Sequence, residues 1–225
     1  MIQDAIHAFN QMFAKPFRGV LLKTIALTLL LFIAVAAGGF ELLKYAAEDF
    51  ATWMITAAGI VAALIYLVAS AFLFPPVTAL VASLFLDDVA EIVEKEDYPA
   101  DPPGKPMPTM EAIAQGLKFM GVVIGVNILV LLLIWLPGIN AVLFFAANGY
   151  LLGREYFELA AHRFRSREDV RDMRKANAGT LFIAGMIIAL FVAIPILNLM
   201  TPLFATIFMV HTHKRLSGSK FVSEV

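Results

Sequence analysis

Four long apolar runs organise this chain, and two of them are broken by nearly the same short phrase. The phrases are Leu136-Pro137-Gly138-Ile139-Asn140 and, 58 residues on, Ile194-Pro195-Ile196-Leu197-Asn198. Proline inside a helix removes a hydrogen bond and clashes with the preceding turn, at a cost of about 3 kcal/mol. No charge lies near either phrase, so each predicts a turn at membrane depth. Irregular backbone survives there only where protein or a wet cavity covers it.

The membrane assignment rests on composition. Of 225 residues, 60% are hydrophobic and 16% are charged, with a mean hydropathy of +0.82. Globular chains are about half apolar and a quarter charged. The expected class is an all-α integral membrane protein, a single membrane domain over 1–225. The chain has no cysteine, which excludes disulfides, thiolate metal sites and cysteine nucleophiles. Residues 1–17 are amphipathic, with Ile2, Ile6, Phe9 and Phe13 in near-helical spacing, and lack a signal-peptide pattern.

The first run, about 20–43, is interrupted only by Lys23, and Trp53 opens a second at about 53–74. Each is long enough for the ~20 residues of a spanning helix. Pro75 and Pro76 are expected to end the second span. An amphipathic helix then follows over about 77–96, with Leu84, Val89 and Val93 against Asp87, Asp88 and Glu91. Residues 96–108 hold five prolines and read as an exposed loop. The broken runs form two hairpins, about 110–165 and 177–215.

Arms beside the breaks are 12 to 17 residues long. They reach roughly 18–26 Å, short of the ~30 Å hydrocarbon core. Charge placement is an independent test. The segment before the first span carries Lys15, Arg18 and Lys23, the first loop only Lys44, and residues 154–175 carry seven Lys or Arg. Cytoplasmic segments hold the excess of Lys and Arg, so both termini are expected inside. Each broken run must then enter and return on one side, either as a short full-span hairpin or as a re-entrant one. The short arms favour partial penetration. Gly116-x2-Phe119 and Gly179-x2-Phe182, before the two breaks, suggest repeated units.

Polar groups at depth are Lys23, Thr24 and Thr28 on the first span and Asn127, Asn140, Asn148, Asn198, Thr201 and Thr206 on the hairpins. Such residues line pathways, or they glue helices and cap turns. Pro137, Asn140, Pro195 and Asn198 mark the hairpin tips or a pore lining. Arg18, in Lys15-Pro16-Phe17-Arg18, is an anion ligand or a snorkelling anchor. The Pro75-Pro76-Val77-Thr78 start of a new helix is a second anion nest or only a kink. The basic residues of 154–175 read as a solvated, headgroup-touching helix. Interspersed acids and the lack of an aromatic platform argue against nucleic-acid binding.

Enzymatic signals are weak. Glu158 and His162 share a helix face as half of a metal site, with no second pair to complete it. His211 and His213 alternate and cannot share a face. No phosphate loop, serine elbow or buried carboxylate relay is present, so no enzyme, cofactor or metal is expected.

Taken in order, Lys15-Pro16-Phe17-Arg18, the Pro75-Pro76 turn, both Pro-centred breaks and Tyr156-Phe157-Glu158 resemble the CysZ-type sulfate permease family. The etoposide-induced protein 2.4 proteins are related to it. The resemblance covers nearly the whole chain. It implies two transmembrane helices plus partly penetrating hairpins, a homo-oligomer in the lipid bilayer of the bacterial inner membrane, and sulfate uptake. It further implies an anion site at Arg18 and at the turn Thr78-Ala79-Leu80-Val81-Ala82, which lacks the family's glycine and glutamate. The expected function is a channel-like facilitator for sulfate or a similar oxyanion. The alternative is a non-transporting membrane scaffold.

Overall fold

The computed structural model describes residues 1–46, 52–106, 108–132 and 137–218. Among them every regular element is a helix, without a strand. Its elements are α1 (Ile2–Gln11), α2 (Lys15–Ala46), α3 (Thr52–Ser83), α4 (Leu86–Asp97), α5 (Thr109–Leu132), α6 (Pro137–His162), α7 (Arg167–Ala176), α8 (Ala178–Ala193), α9 (Pro195–Asn198) and α10 (Thr201–Leu216).

α2 and α3 lie side by side, and the Tyr66 hydroxyl donates to the Phe32 carbonyl at 2.6 Å. The Lys15–Leu42 stretch of α2 is long and apolar enough to cross a membrane. Its outer face, including Leu22, Leu30 and Ile33, is exposed, as are Ile60, Leu64 and Val68 of α3. Such a continuous apolar surface marks contact with lipid or another chain.

α3 corrects the boundaries drawn from the sequence. It does not end at Pro75 but runs through both prolines to Ser83. The turn falls instead at Leu84 and Phe85, whose N–H groups reach back to Val81 and Ala82 at 3.2 and 2.8 Å. The proline ring already has a helical φ, so its cost is a lost bond and a local clash. Continuing the helix buries Thr78, Val81 and Ala82, and tertiary burial offsets that cost. The amphipathic helix is therefore α4 alone.

The other two prolines open helices. Pro137 is the first residue of α6 and Pro195 the first of α9, where a missing N–H costs nothing. Residues 133–136 of the first phrase lie outside the described residues. Ile194, in extended backbone, separates α8 from α9. Phe191 of α8 stacks on Phe204 of α10 with centroids 3.8 Å apart, closing the second break.

α10 is the centre of the molecule. Every residue from Thr201 to Lys214 is buried, against α1, α4, α6 and α8. α5 packs chiefly along α3, and α6 chiefly along α8. The α6–α8 crossing is backbone on backbone. A Cβ at Gly185 would stand 1.8 Å from the Gly149 carbonyl oxygen, and one at Gly153 would stand 2.2 Å from that of Leu181. α7 meets α8 at 87°. In α1 and the turn after it, Ile2, Ile6, Phe9 and Phe13 are exposed, while Ala8, Gln11 and Met12 face the core.

Candidate functional site

Arg165, Arg167, Arg171 and Lys175 are exposed, as a solvated segment requires, while Arg163 is buried. All but Lys175 line a cleft of about 770 Å³ between the Pro-rich loop, α5, the end of α6, and α7. Eight of its eighteen lining residues are Lys or Arg, against three carboxylates: Asp87, Glu155 and Glu158. Ser166 caps α7 by accepting from the Asp169 N–H at 3.2 Å, which turns the chain sharply after α6 and brings Arg171 and Arg174 opposite Arg154. Arg154 and Arg174 share Glu158, at 3.1 and 3.3 Å. Glu158 is thus an ion-pair partner and not half of a site with His162. Burial holds the Glu155 carboxyl above its ordinary value; the Glu158 charge adds to this, and Arg154, Lys118 and Arg174 oppose it.

The cleft's inner wall is fixed by Arg163. Its side chain is buried, with Nε 2.6 Å from Glu94 Oε1, Nη2 3.2 Å from Glu94 Oε2, and Nη1 bonded to Asp87. Burial works against the guanidinium's charge, but Glu94 and Asp87 outweigh it and hold the group firmly protonated. The loop is pinned to the same frame: Gly104 N–H donates to Glu94 at 3.0 Å and Lys105 N–H to the Arg163 carbonyl at 2.8 Å. Lys214 adds a bond to Asp101 at 2.8 Å and lies over the Phe164 ring. The loop is exposed, as its composition predicts, yet tethered by both of its faces.

The residues singled out from the sequence fall elsewhere. Arg18 is exposed, and its Nε donates to the Phe13 carbonyl at 2.7 Å. Thr78 is only 2% exposed, and its hydroxyl has no hydrogen-bond partner among the described residues. Because α3 is continuous, the N–H groups of Thr78, Ala79 and Leu80 belong to a helix interior and make no anion nest. Among the described residues no hydrogen bond or ion pair joins Arg18 to Thr78.

Asn198 caps neither α9 nor α10, whose N-caps are Ile194 and Met200. The Asn140 backbone lies in the first turn of α6; its side chain is outside the described set, as is that of Asn127. Thr28, Thr201 and Thr206 back-bond to the carbonyls of Thr24, Leu197 and Pro202, and Asn148 to that of Phe144. These polar groups are satisfied within their own turns.

A family model described as sulfate transporter CysZ/etoposide-induced protein 2.4 matches residues 4–202. The chain belongs to this family. No individual curated protein matches it. That family is of transporter type, and the long apolar α2 suits a membrane protein. The CysZ-like resemblance read from the prolines and Lys15-Pro16-Phe17-Arg18 is thereby upheld. Charge spacing along the chain does not reveal the cleft, because α5, α6, α7 and the Pro-rich loop each supply part of its lining. Gly149-x3-Gly153 is legible in the sequence, since small residues four apart signal close helix packing.

Proposed function

We propose that the chain is a channel-like facilitator for sulfate or a similar small oxyanion in the bacterial inner membrane, assembled as a homo-oligomer. The cleft carries this proposal: eight cationic side chains against three carboxylates, within one concavity of a transporter-family chain. Clefts lined by one sign of charge concentrate counter-ions and speed their arrival. In this arrangement α2 and α3, 32 residues each and about 48 Å long, are full spans. α5–α6 and α8–α10 are partly penetrating hairpins with tips near Pro137, Asn140, Pro195 and Asn198. Both termini are cytoplasmic. Arg18 attracts the anion at the mouth of the first span. Thr78, whose buried hydroxyl has no hydrogen-bond partner among the described residues, supplies a donor at depth, in the same turn as Ala79 and Leu80. No catalytic role and no nucleic acid enter this scheme.

Labelled sulfate uptake into proteoliposomes tests it. Wild-type protein is expected to exceed empty vesicles. Replacing Arg167 and Arg171 together by Gln lowers the initial rate by about threefold or more at low ionic strength, and salt narrows that gap as it screens exposed charge. Uptake at the empty-vesicle level overturns the facilitator in favour of a membrane scaffold. Unchanged flux in Arg18→Ala removes Arg18 alone.

A further inference from the structure

α1, the end of α4 and the end of α10 meet at a cluster that anion passage does not use. His7 and Gln11 lie one turn apart on α1, so both face α10. Asp97 is the last residue of α4, and His211 follows the point where the apolar run of α10 ends at Val210. Ala8 and Met12, fully buried beside them, fix α1 against this core.

The donor atoms converge. Asp97 Oδ2 is 3.8 Å from His7 Nε2 and 3.6 Å from His211 Nε2, and all three ligand atoms lie within 4.8 Å of one another. In a tetrahedral site with bonds near 2.0–2.1 Å, ligand atoms stand about 3.3 Å apart. The cluster is thus a modest contraction away from that geometry. His211 is also oriented as a metal ligand is. Its Nδ1 is 2.9 Å from the Tyr98 hydroxyl, which leaves Nε2 aimed at the centre. Ligating imidazoles characteristically have their second nitrogen held in this way. Gln11 steadies the carboxylate, its Nε2 donating to Asp97 Oδ2 at 2.6 Å.

We propose that His7, Asp97 and His211 form a zinc(II) site that clamps α1 to α4 and α10. Two imidazoles and one carboxylate suit a borderline first-row ion rather than calcium or magnesium, which take oxygen ligands. Loading changes two contacts: the Nε2 proton of His211 leaves Gln11 Oε1, 3.0 Å away, so that Nε2 can coordinate, and the neutral ring carries its proton on Nδ1, which donates to the Tyr98 hydroxyl. The fourth position is left to water. His7, whose side chain is 40% exposed, forms the outer wall through which the ion arrives. The clamp ties residue 7 to residue 211 and so joins the two ends of the chain.

The test uses the full chain in detergent, with any histidine tag removed and the protein stripped with a chelator. Equilibrium dialysis against zinc(II) is followed by elemental analysis. About one zinc per chain is expected, with a higher melting temperature in the loaded protein. Asp97→Asn and His211→Gln weaken binding by about tenfold or more. Because those residues are buried, His7→Gln is the decisive variant. It weakens zinc binding to a similar degree while leaving the melting temperature of the zinc-free protein near the wild-type value. Cobalt(II) in place of zinc gives the visible absorption of a four-coordinate nitrogen and oxygen site. Wild-type protein that takes up no stoichiometric zinc overturns the site. So does a His7→Gln protein that binds zinc as tightly as wild type. Neither result bears on sulfate flux, which is measured separately.

Discussion

Arg163 shows how much a single side chain can depend on distant sequence. It sits among Arg165, Arg167 and Arg171 in the chain, yet it alone is sealed in, between Glu94 and Asp87. Breaking a buried pair by removing one partner costs about 3–5 kcal/mol, because the remaining charge is buried without compensation. Arg163→Ala is therefore expected to lower thermal stability in detergent by that order. Arg163→Lys should restore little, since an ammonium does not reproduce the planar fork on Glu94. Glu155 makes a second prediction. Its folded-state value lies above the ordinary 4.5, so it gains a proton before ordinary carboxylates as pH falls, and the cleft becomes more positive by one charge. Sulfate binding measured by calorimetry should strengthen on acidification. Arg154, Lys118, Arg174 and Glu158 face Glu155. Glu155→Gln isolates the Glu155 part: it should raise affinity by about threefold near neutral pH and flatten the pH response. Unchanged affinity in that variant would remove Glu155 from the anion's surroundings.

At the scale of elements, prolines and glycines decide the outcome through what packs on them. Pro75 and Pro76 read as a stop, but α3 continues because Thr78, Val81 and Ala82 are buried once it does. Pro137 and Pro195 read as breaks followed by asparagine caps, but each proline is itself the first helical residue, where its missing N–H is tolerated. The α6–α8 crossing depends on the missing Cβ of Gly185, which would otherwise meet backbone on Gly149 and Gly153. Backbone does not move aside as a flexible side chain does. Gly185→Ala should destabilise by about 1–3 kcal/mol. Gly179→Ala, on the same helix with nothing within 4 Å, should be neutral or gain up to about 1 kcal/mol of helix propensity. Melting curves of the two variants compare the same chemical change with and without the crossing. Equal melting temperatures would mean that the crossing does not limit stability.

The whole molecule joins an apolar exterior on α2 and α3 to an α10 buried from Thr201 to Lys214 and a charged base. The partial penetration proposed for the hairpins can be tested in this cysteine-free chain. Cysteines placed at Gly138 and Ile196 should resist a membrane-impermeant reagent applied from the periplasm, while one at the exposed Tyr45, near the end of α2, should react. Periplasmic labelling at either tip would mean that the hairpin spans. By itself the sequence determined the helical class, the apolar α2, the interruption at Pro195, and the family. Hydrophobicity, charge spacing and proline chemistry are local, so they are legible along the chain. Only the tertiary structure decided that α3 survives its prolines, that Arg163 is buried, that eight cations share one cleft, and that His7, Asp97 and His211 converge. Each of those depends on which distant surfaces exclude water together, and burial sets both the tolerance for a broken helix bond and the partner a charge must find.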